Sequence, residues 1–384
     1  MRSTPHRLPG LLALTLAAAL ACSPAQAQER TSGLRDLLAH FPAEIMESEE
    51  WADILYSDLQ AARIGVSRDA ETLAEAMFGD DRFVAPYMRS MGLPYDMVQG
   101  MSFGFSGEWT EIVGFLPRDI AQSLSYAAPP DQLAIIEMAE SADFDAIAGA
   151  LRTTGYTPEQ RGDWNVLWYI EEDYRMNLAD RDPRNPFGGH LGRSSRVALL
   201  EPLLAYSPAW PRIEAVTGGV DRSALELPAV LALLAVVDDP RHGEGRLVNV
   251  AFLTEQQPAE MRDGAPIPGV GIPAWELGLF ADLSTGAVDT ALAAFVYADA
   301  KTAGEAAAAI ETVWSDTTLY GFHPSLSESG MPEIHVTGDG ADQAVVVISI
   351  EREMTGDADT VYNLAYRAFY TGMISGELPV FGHP

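Results

Sequence analysis

The apolar positions of this chain fall into runs of strand length separated by stretches with a helical repeat, and Gln132 to Ile170 shows the pattern most clearly. Gln132 to Met138 (QLAIIEM) is an apolar run of strand length introduced by Pro129 and Pro130, residues that neither continue a helix nor donate to a central ladder. Asp143 is a suitable N-cap, and Phe144, Ile147, Ala148 and Leu151 recur at i, i+3, i+4 and i+7, one stripe of a 3.6-residue period. Gly155 supplies the left-handed residue that ends such a helix. Trp164 to Ile170 (WNVLWYI) returns as a strand rich in aromatic residues.

The same reading predicts a helix at 32–40, a strand at 51–59, helices at 67–78 and 83–91, and a long polar connection at 171–193 broken by prolines and glycines. A strand at 196–200 and helices at 209–217 and 225–237 follow. Asp238 to Gly245 (DDPRHGEG) has the composition of a boundary between halves. Beyond it come a strand at 247–254 and a hairpin of 275–283 with 290–297. A helix at 302–314 opened by a Thr302-x-x-Glu305 capping box, a second hairpin of 333–337 with 344–350, and a helix at 359–373 complete the chain.

The order strand, helix, strand, strand, helix describes both 132–217 and 290–373, with negligible residue identity between them. The expectation is therefore α+β: two similarly ordered layered units of ferredoxin-like character with mainly antiparallel sheets, preceded by a helical segment. The domains are drawn at 28–240 and 246–384.

The N-terminus changes the picture. Arg2 and Arg7 precede an apolar run from Leu8 to Ala21, and Ala25-Gln26-Ala27 is an A-x-A cleavage site, so 1–27 reads as a secretory signal peptide. Processing before Cys22, with lipidation of that cysteine, is the alternative, although Ala19 stands where lipoprotein sites usually carry leucine. The apolar run is shorter than the roughly 20 residues that span a bilayer, and no later stretch is long and uncharged enough. The expected location is extracytoplasmic, periplasmic or secreted, and lipid-anchored if the cut precedes Cys22.

Cys22 is the single cysteine, so a chain cut at residue 27 has neither disulfide nor thiolate chemistry. Its 55 acidic and 24 basic residues give a net charge of -31, which repels nucleic acid and anionic lipid.

Searches for chemistry return little. Ser106 in Gly104-Phe-Ser-Gly107 is one residue short of a nucleophile elbow, and no histidines stand at the i, i+4 spacing of a zinc helix. Asp180, Asp182 and Asn185 do not keep calcium-loop spacing, and prolines around Gly269-Val-Gly-Ile-Pro-Ala274 deny it the context of a dinucleotide fingerprint. No cofactor or metal site is expected. Two features stand out. Trp164, Trp168, Tyr174 and His190, at the long connection, form a candidate ligand platform, weighed against plain core packing. Tyr362, Tyr366 and Tyr370, at i, i+4 and i+8, form a candidate ridge for a partner, weighed against a broad buried face.

The sequence thus predicts a non-catalytic binding or interaction protein for an unknown small molecule or protein. A serine hydrolase using Ser194 or Ser195 with His190 is one alternative, and an envelope structural lipoprotein anchored through Cys22 is the other.

Overall fold

A computed structural model describes residues 30–48, 52–62, 89, 92–94, 96–97, 108–254, 261–262, 265–266, 272–314, 330–338, 343–354 and 363–374. The predicted signal segment with Cys22, the predicted helix at 67–78, all but Arg89 of that at 83–91, Ser106, Gly269–Gly271 and Tyr362 lie outside these residues.

The strands are β1 (Asp53–Asp58), β2 (Ile120–Ala128), β3 (Asp131–Met138), β4 (Thr157–Arg161), β5 (Trp164–Tyr169), β6 (Ser195–Leu200), β7 (Leu203–Ser207), β8 (Arg246–Leu253), β9 (Leu277–Ser284), β10 (Val288–Tyr297), β11 (Glu333–Thr337) and β12 (Ala344–Glu353). They form one 12-stranded sheet in the order β11-β12-β10-β9-β8-β1-β2-β3-β7-β6-β5-β4, with every pairing antiparallel.

This corrects the expectation of two ferredoxin-like layered units. The halves share one sheet because β1 and β8 pair at its centre, Ile54 opposite Phe252 and Ser57 opposite Asn249. Outward from that seam the order is β1-β2-β3-β7 on one side and β8-β9-β10-β12 on the other. In the second half one helix separates the third strand from the hairpin that returns beside it, as the order read at 290–373 expects; in the first half the β4–β5 hairpin also intervenes before β6 and β7 return, so 132–217 does not keep that order. What element order could not reveal is that the first strands of the halves bond to each other.

Helices cover both faces. On the first face α1 (Ser32–Leu38), α2 (Ala43–Met46), α6 (Trp210–Thr217) and α7 (Pro228–Val237) pack through Leu34, Leu37, Ile213, Leu233 and Leu234 onto Ile54, Leu124, Val166, Leu279 and Val296. On the second, α5 (Phe144–Thr153) places Ile147 and Leu151 against Ile136, Leu167 and Val197. Over the other half, α8 (Ala300–Trp314) and α9 (Leu364–Ile374) place Ile310, Trp314 and Phe369 against Phe280, Phe295 and Val346. Short helices α3 (Leu59–Ala62) and α4 (Glu108–Val113) follow β1 and precede β2. Covered on both sides, β9 and β10 are buried almost end to end, and they accordingly read as continuous apolar runs without clean alternation.

Local signals hold where the chemistry is local. The Asp143 carboxylate accepts from the Ala146 N–H at 3.0 Å and caps α5. At its other end the N–H of Tyr156 reaches the Leu151 carbonyl and that of Gly155 reaches Arg152, a Schellman closure made possible by Gly155 at φ 99°. By contrast α8 begins at Ala300, two residues before the predicted capping box, because Asp299 accepts from both the Thr302 N–H (2.8 Å) and its hydroxyl (3.0 Å). Pro129 and Pro130 form the turn between β2 and β3.

The second face also carries a polar row. Ser123, Ser57, Asn249 and Asp282 lie opposite one another on β2, β1, β8 and β9, all fully buried. The Arg89 guanidinium donates to both oxygens of Asp282 (3.0 and 2.7 Å) and to Asp289 (3.0 Å). Asp282 also accepts from Asn249 (3.0 Å) and from Asn363 at the start of α9 (2.9 Å). The Ser57 hydroxyl bonds the Asn249 side chain and accepts from the Gly92 N–H, whose carbonyl takes Ser123. A Cβ on Gly92 would stand 2.4 Å from the Tyr56 carbonyl carbon, so only glycine permits this approach. Burial raises the pKa of Asp289 against the opposing pull of Arg89.

Candidate functional site

The connection between β5 and β6 is ordered by backbone bonds to its own far end. Asn177 N–H reaches Gly192 O (2.9 Å), Asp182 N–H reaches Gly189 O (2.8 Å) and Ser194 N–H reaches Arg175 O (2.8 Å). Ile170 (φ 61°) and Tyr174 (φ 55°) take left-handed conformations that L-residues rarely adopt, the former a β-branched one.

On the first face this loop is sealed. Trp164 is 4% exposed and belongs to the core. Trp168 meets the edge of Trp210 at 6.4 Å, and the Trp210 ring lies near the guanidinium groups of Arg161 (4.1 Å) and Arg196 (5.1 Å). Arg196, wholly buried, donates to Pro208 O and Glu171 O (both 2.6 Å) and pairs with Asp173 at 3.0 Å. Tyr174 is exposed, and its hydroxyl donates to Asp131 (3.0 Å); burial of the phenol and the nearby carboxylate push its pKa up to about 12. The tryptophan pair offers no open stacking platform.

On the second face the same loop covers a polar cluster around Asp96, which is fully buried. Tyr206 donates to its carboxylate at 2.6 Å and Arg193 at 3.3 Å, while His190 Nδ1 stands 3.8 Å away. Arg193 also reaches Pro130 O (2.9 Å), and with the Gln132 amide oriented to satisfy its neighbours it bridges the pair. Burial, together with Arg193 and against Asp96, lowers the pKa of His190, favouring neutral imidazole.

Ser194 and Ser195 are 0% exposed. Ser194 donates to Pro208 O (2.8 Å), and Ser195 accepts from Tyr156 (3.1 Å), whose hydroxyl in turn accepts from Asn185 (3.1 Å). Neither hydroxyl is accessible to a substrate here. Asp180, Asp182, Asn185, Tyr156 and Arg193 line a cavity of about 70 Å³, room for about two waters at their share of liquid volume. Among the described residues no group of three or more His, Cys, Asp or Glu side chains could hold a metal ion.

Tyr366 and Tyr370, their rings stacked at 6.4 Å, are 2% and 9% exposed and face the sheet beside Phe369. They present no ridge to a partner. Burial raises the pKa of both phenols.

Among the described residues, a space large enough for a ligand lies elsewhere. A cleft of about 510 Å³ opens on the first face between the end of α2, the start of α7 and the adjoining ends of β8, β9 and β12. Met46, Leu227 and Leu277 form its buried floor, and Glu47, Ser48, Thr254, Glu276 and Gln343 its polar rim. Gln343 donates to Glu276 at 3.1 Å, and Glu47 is paired with Arg222. Among the described residues the cleft is lined by two carboxylates and no basic side chain. Its residues come from five separated segments, and nothing in their spacing marks them in the sequence.

No family model matches the chain, and no curated protein matches it. Among solved structures, crystal form I of TP0453 is similar over 89% of this chain and 98% of that one, at 8% identity and a TM-score of 0.36. Crystal form III of the same protein is similar over 85% and 98%, at 8% identity and a TM-score of 0.35. Likeness at this level assigns no function. No helix among the described residues is long and apolar enough to cross a membrane.

Proposed function

We propose that this is an exported, non-catalytic binding protein that holds a small amphiphile, apolar in body and cationic at its head, in the cleft of Met46, Leu227 and Leu277. The observation that carries this reading is the cleft itself: a buried apolar floor with a rim holding the carboxylate of Glu276, Glu47 being paired with Arg222, in a volume within the roughly 300–1,000 Å³ of small-molecule sites. Export rests on the N-terminal pattern of Arg2, Arg7, the Leu8–Ala21 run and Ala25-Gln26-Ala27. The burial of Ser194 and Ser195 withdraws support from the hydrolase alternative.

Titration of dodecyltrimethylammonium below its micelle concentration, followed by calorimetry, tests the site. Saturable binding is expected, lost at least about tenfold in Ala229→Trp, whose indole would fill the cleft, and weakened about threefold in Glu276→Gln as one rim charge disappears. Equal affinity in the Ala229→Trp protein would refute the placement.

A further inference from the structure

The eight residues between α7 and β8 are fastened to the far edge of the sheet by a pair of rings. His242, 5% exposed at the end of the single turn Pro240–His242, stacks on His335 in the middle of edge strand β11, with centroids 6.4 Å apart and planes 27° from parallel. His242 Nε2 and both nitrogens of His335 are buried without a hydrogen-bond partner. Two neutral imidazoles can pack in this way, but an imidazolium requires two acceptors and tolerates no cation at its face.

Among the described residues, no charged group around the rings bonds these buried nitrogens. Asp239, on the same turn, is committed to Arg241 through its Nε (2.9 Å), its Nη2 (2.7 Å) and its N–H (2.9 Å), and these bonds hold the Asp239 carboxyl down to about 2. Arg30, from the N-terminal segment, donates to the carbonyls of Val237 (2.8 Å), Asp239 (3.0 Å) and Gly243, bringing a second guanidinium to the turn. Glu333, on β11, favours the charged form of His335, but Arg241 opposes it more strongly.

We propose that His242 and His335 form an acid-released latch: neutral and ring on ring they hold the connection between the two halves against edge strand β11, and protonation of either ring frees both.

The sign follows from the surroundings. Burial first, then His335, Arg30 and Arg241 against the pull of Asp239, bring the pKa of His242 from an ordinary 6.5 to about 4, and burial with Arg241 lowers that of His335. Released histidines regain the ordinary value. The closed form is therefore fully favoured above pH 6.5 and loses its advantage as pH falls from there towards 4. For His242 alone, the open population should rise about thirtyfold between pH 7.5 and 5.

Hydrogen exchange of the full chain, read by mass spectrometry in peptides covering 238–245 and 333–337 and corrected for intrinsic rates, tests the latch. The expected result is about thirtyfold more opening of both segments at pH 5 than at 7.5, and a difference below about threefold in His242→Phe/His335→Phe, which keeps two stacked rings without a titration. Acid opening of equal size in the variant, or none in the unaltered protein, would overturn the proposal. Should the variant fail to fold, the His242 side-chain titration followed by nitrogen NMR in the unaltered protein decides: a midpoint below 5 supports the latch and one at 6.5 or above overturns it.

Discussion

Replacing Asp282 with alanine is expected to lower the unfolding free energy by about 3–5 kcal/mol, measured by urea denaturation. Asp282 accepts two bonds from Arg89 and one each from Asn249 and Asn363, so its loss strands a buried guanidinium and two side-chain amides between the apolar clusters of the second face. Asp289 retains one bond to Arg89, which limits the damage. The magnitude reflects an orphaned charge, and it does not measure the intrinsic worth of the pair. Replacing both members, as in Arg89→Met/Asp282→Leu, should recover only part of the lost stability, because Asp289 then loses its buried cation and Asn249 and Asn363 lose an acceptor. A double variant as unstable as Asp282→Ala would show that the polar row contributes through its full hydrogen-bond geometry.

A comparable loss, about 3 kcal/mol, is expected for Arg193→Met, together with a local effect that Asp282→Ala should not produce. Arg193 ties the long loop to Asp96 and to Pro130 O at the β2–β3 turn. Without it Asp96 keeps Tyr206 but lacks a counter-charge, and the loop keeps its backbone ladder to Gly192 and Ser194 and the side-chain ties through Arg196, Tyr174 and Asn185. Limited proteolysis should then cut within 171–193 at least about tenfold faster than in the unaltered protein. Unchanged cleavage would assign the ordering of the loop to its backbone bonds and the remaining side-chain ties.

How much of this was legible depended on distance along the chain. The α5 unit could be read because its cap, stripe and C-terminal glycine lie within thirteen residues and act through local geometry. The strands of both hairpins in the second half were placed to within three residues at each end for the same reason. Burial of the tyrosines on α9 was the plainer of two readings of one periodicity, and only the packing of Tyr366 and Tyr370 against the sheet separates them. Asp282 shows the opposite limit. In LGLFADLS an aspartate between alanine and leucine reads as a strand's solvent side, whereas its partner Arg89 is 193 residues away. The cleft was invisible too, since Met46, Leu227, Glu276 and Gln343 share no pattern until the sheet gathers them. The single sheet itself could not be foreseen, because the pairing of β1 with β8 spans the whole first half of the molecule.

That central pairing bears on how the molecule can come apart. Severing the chain in the connection after α7 would leave each fragment with an inner strand stripped of its neighbour, Asp53–Asp58 in one and Arg246–Leu253 in the other. Each carries buried apolar side chains on both sides, and neither contains a proline of the kind with which natural sheets guard a bare margin. Fragments of this kind adhere to one another or to themselves. The boundary suggested by composition falls in the connection between α7 and β8, and strands from either side of it share one sheet.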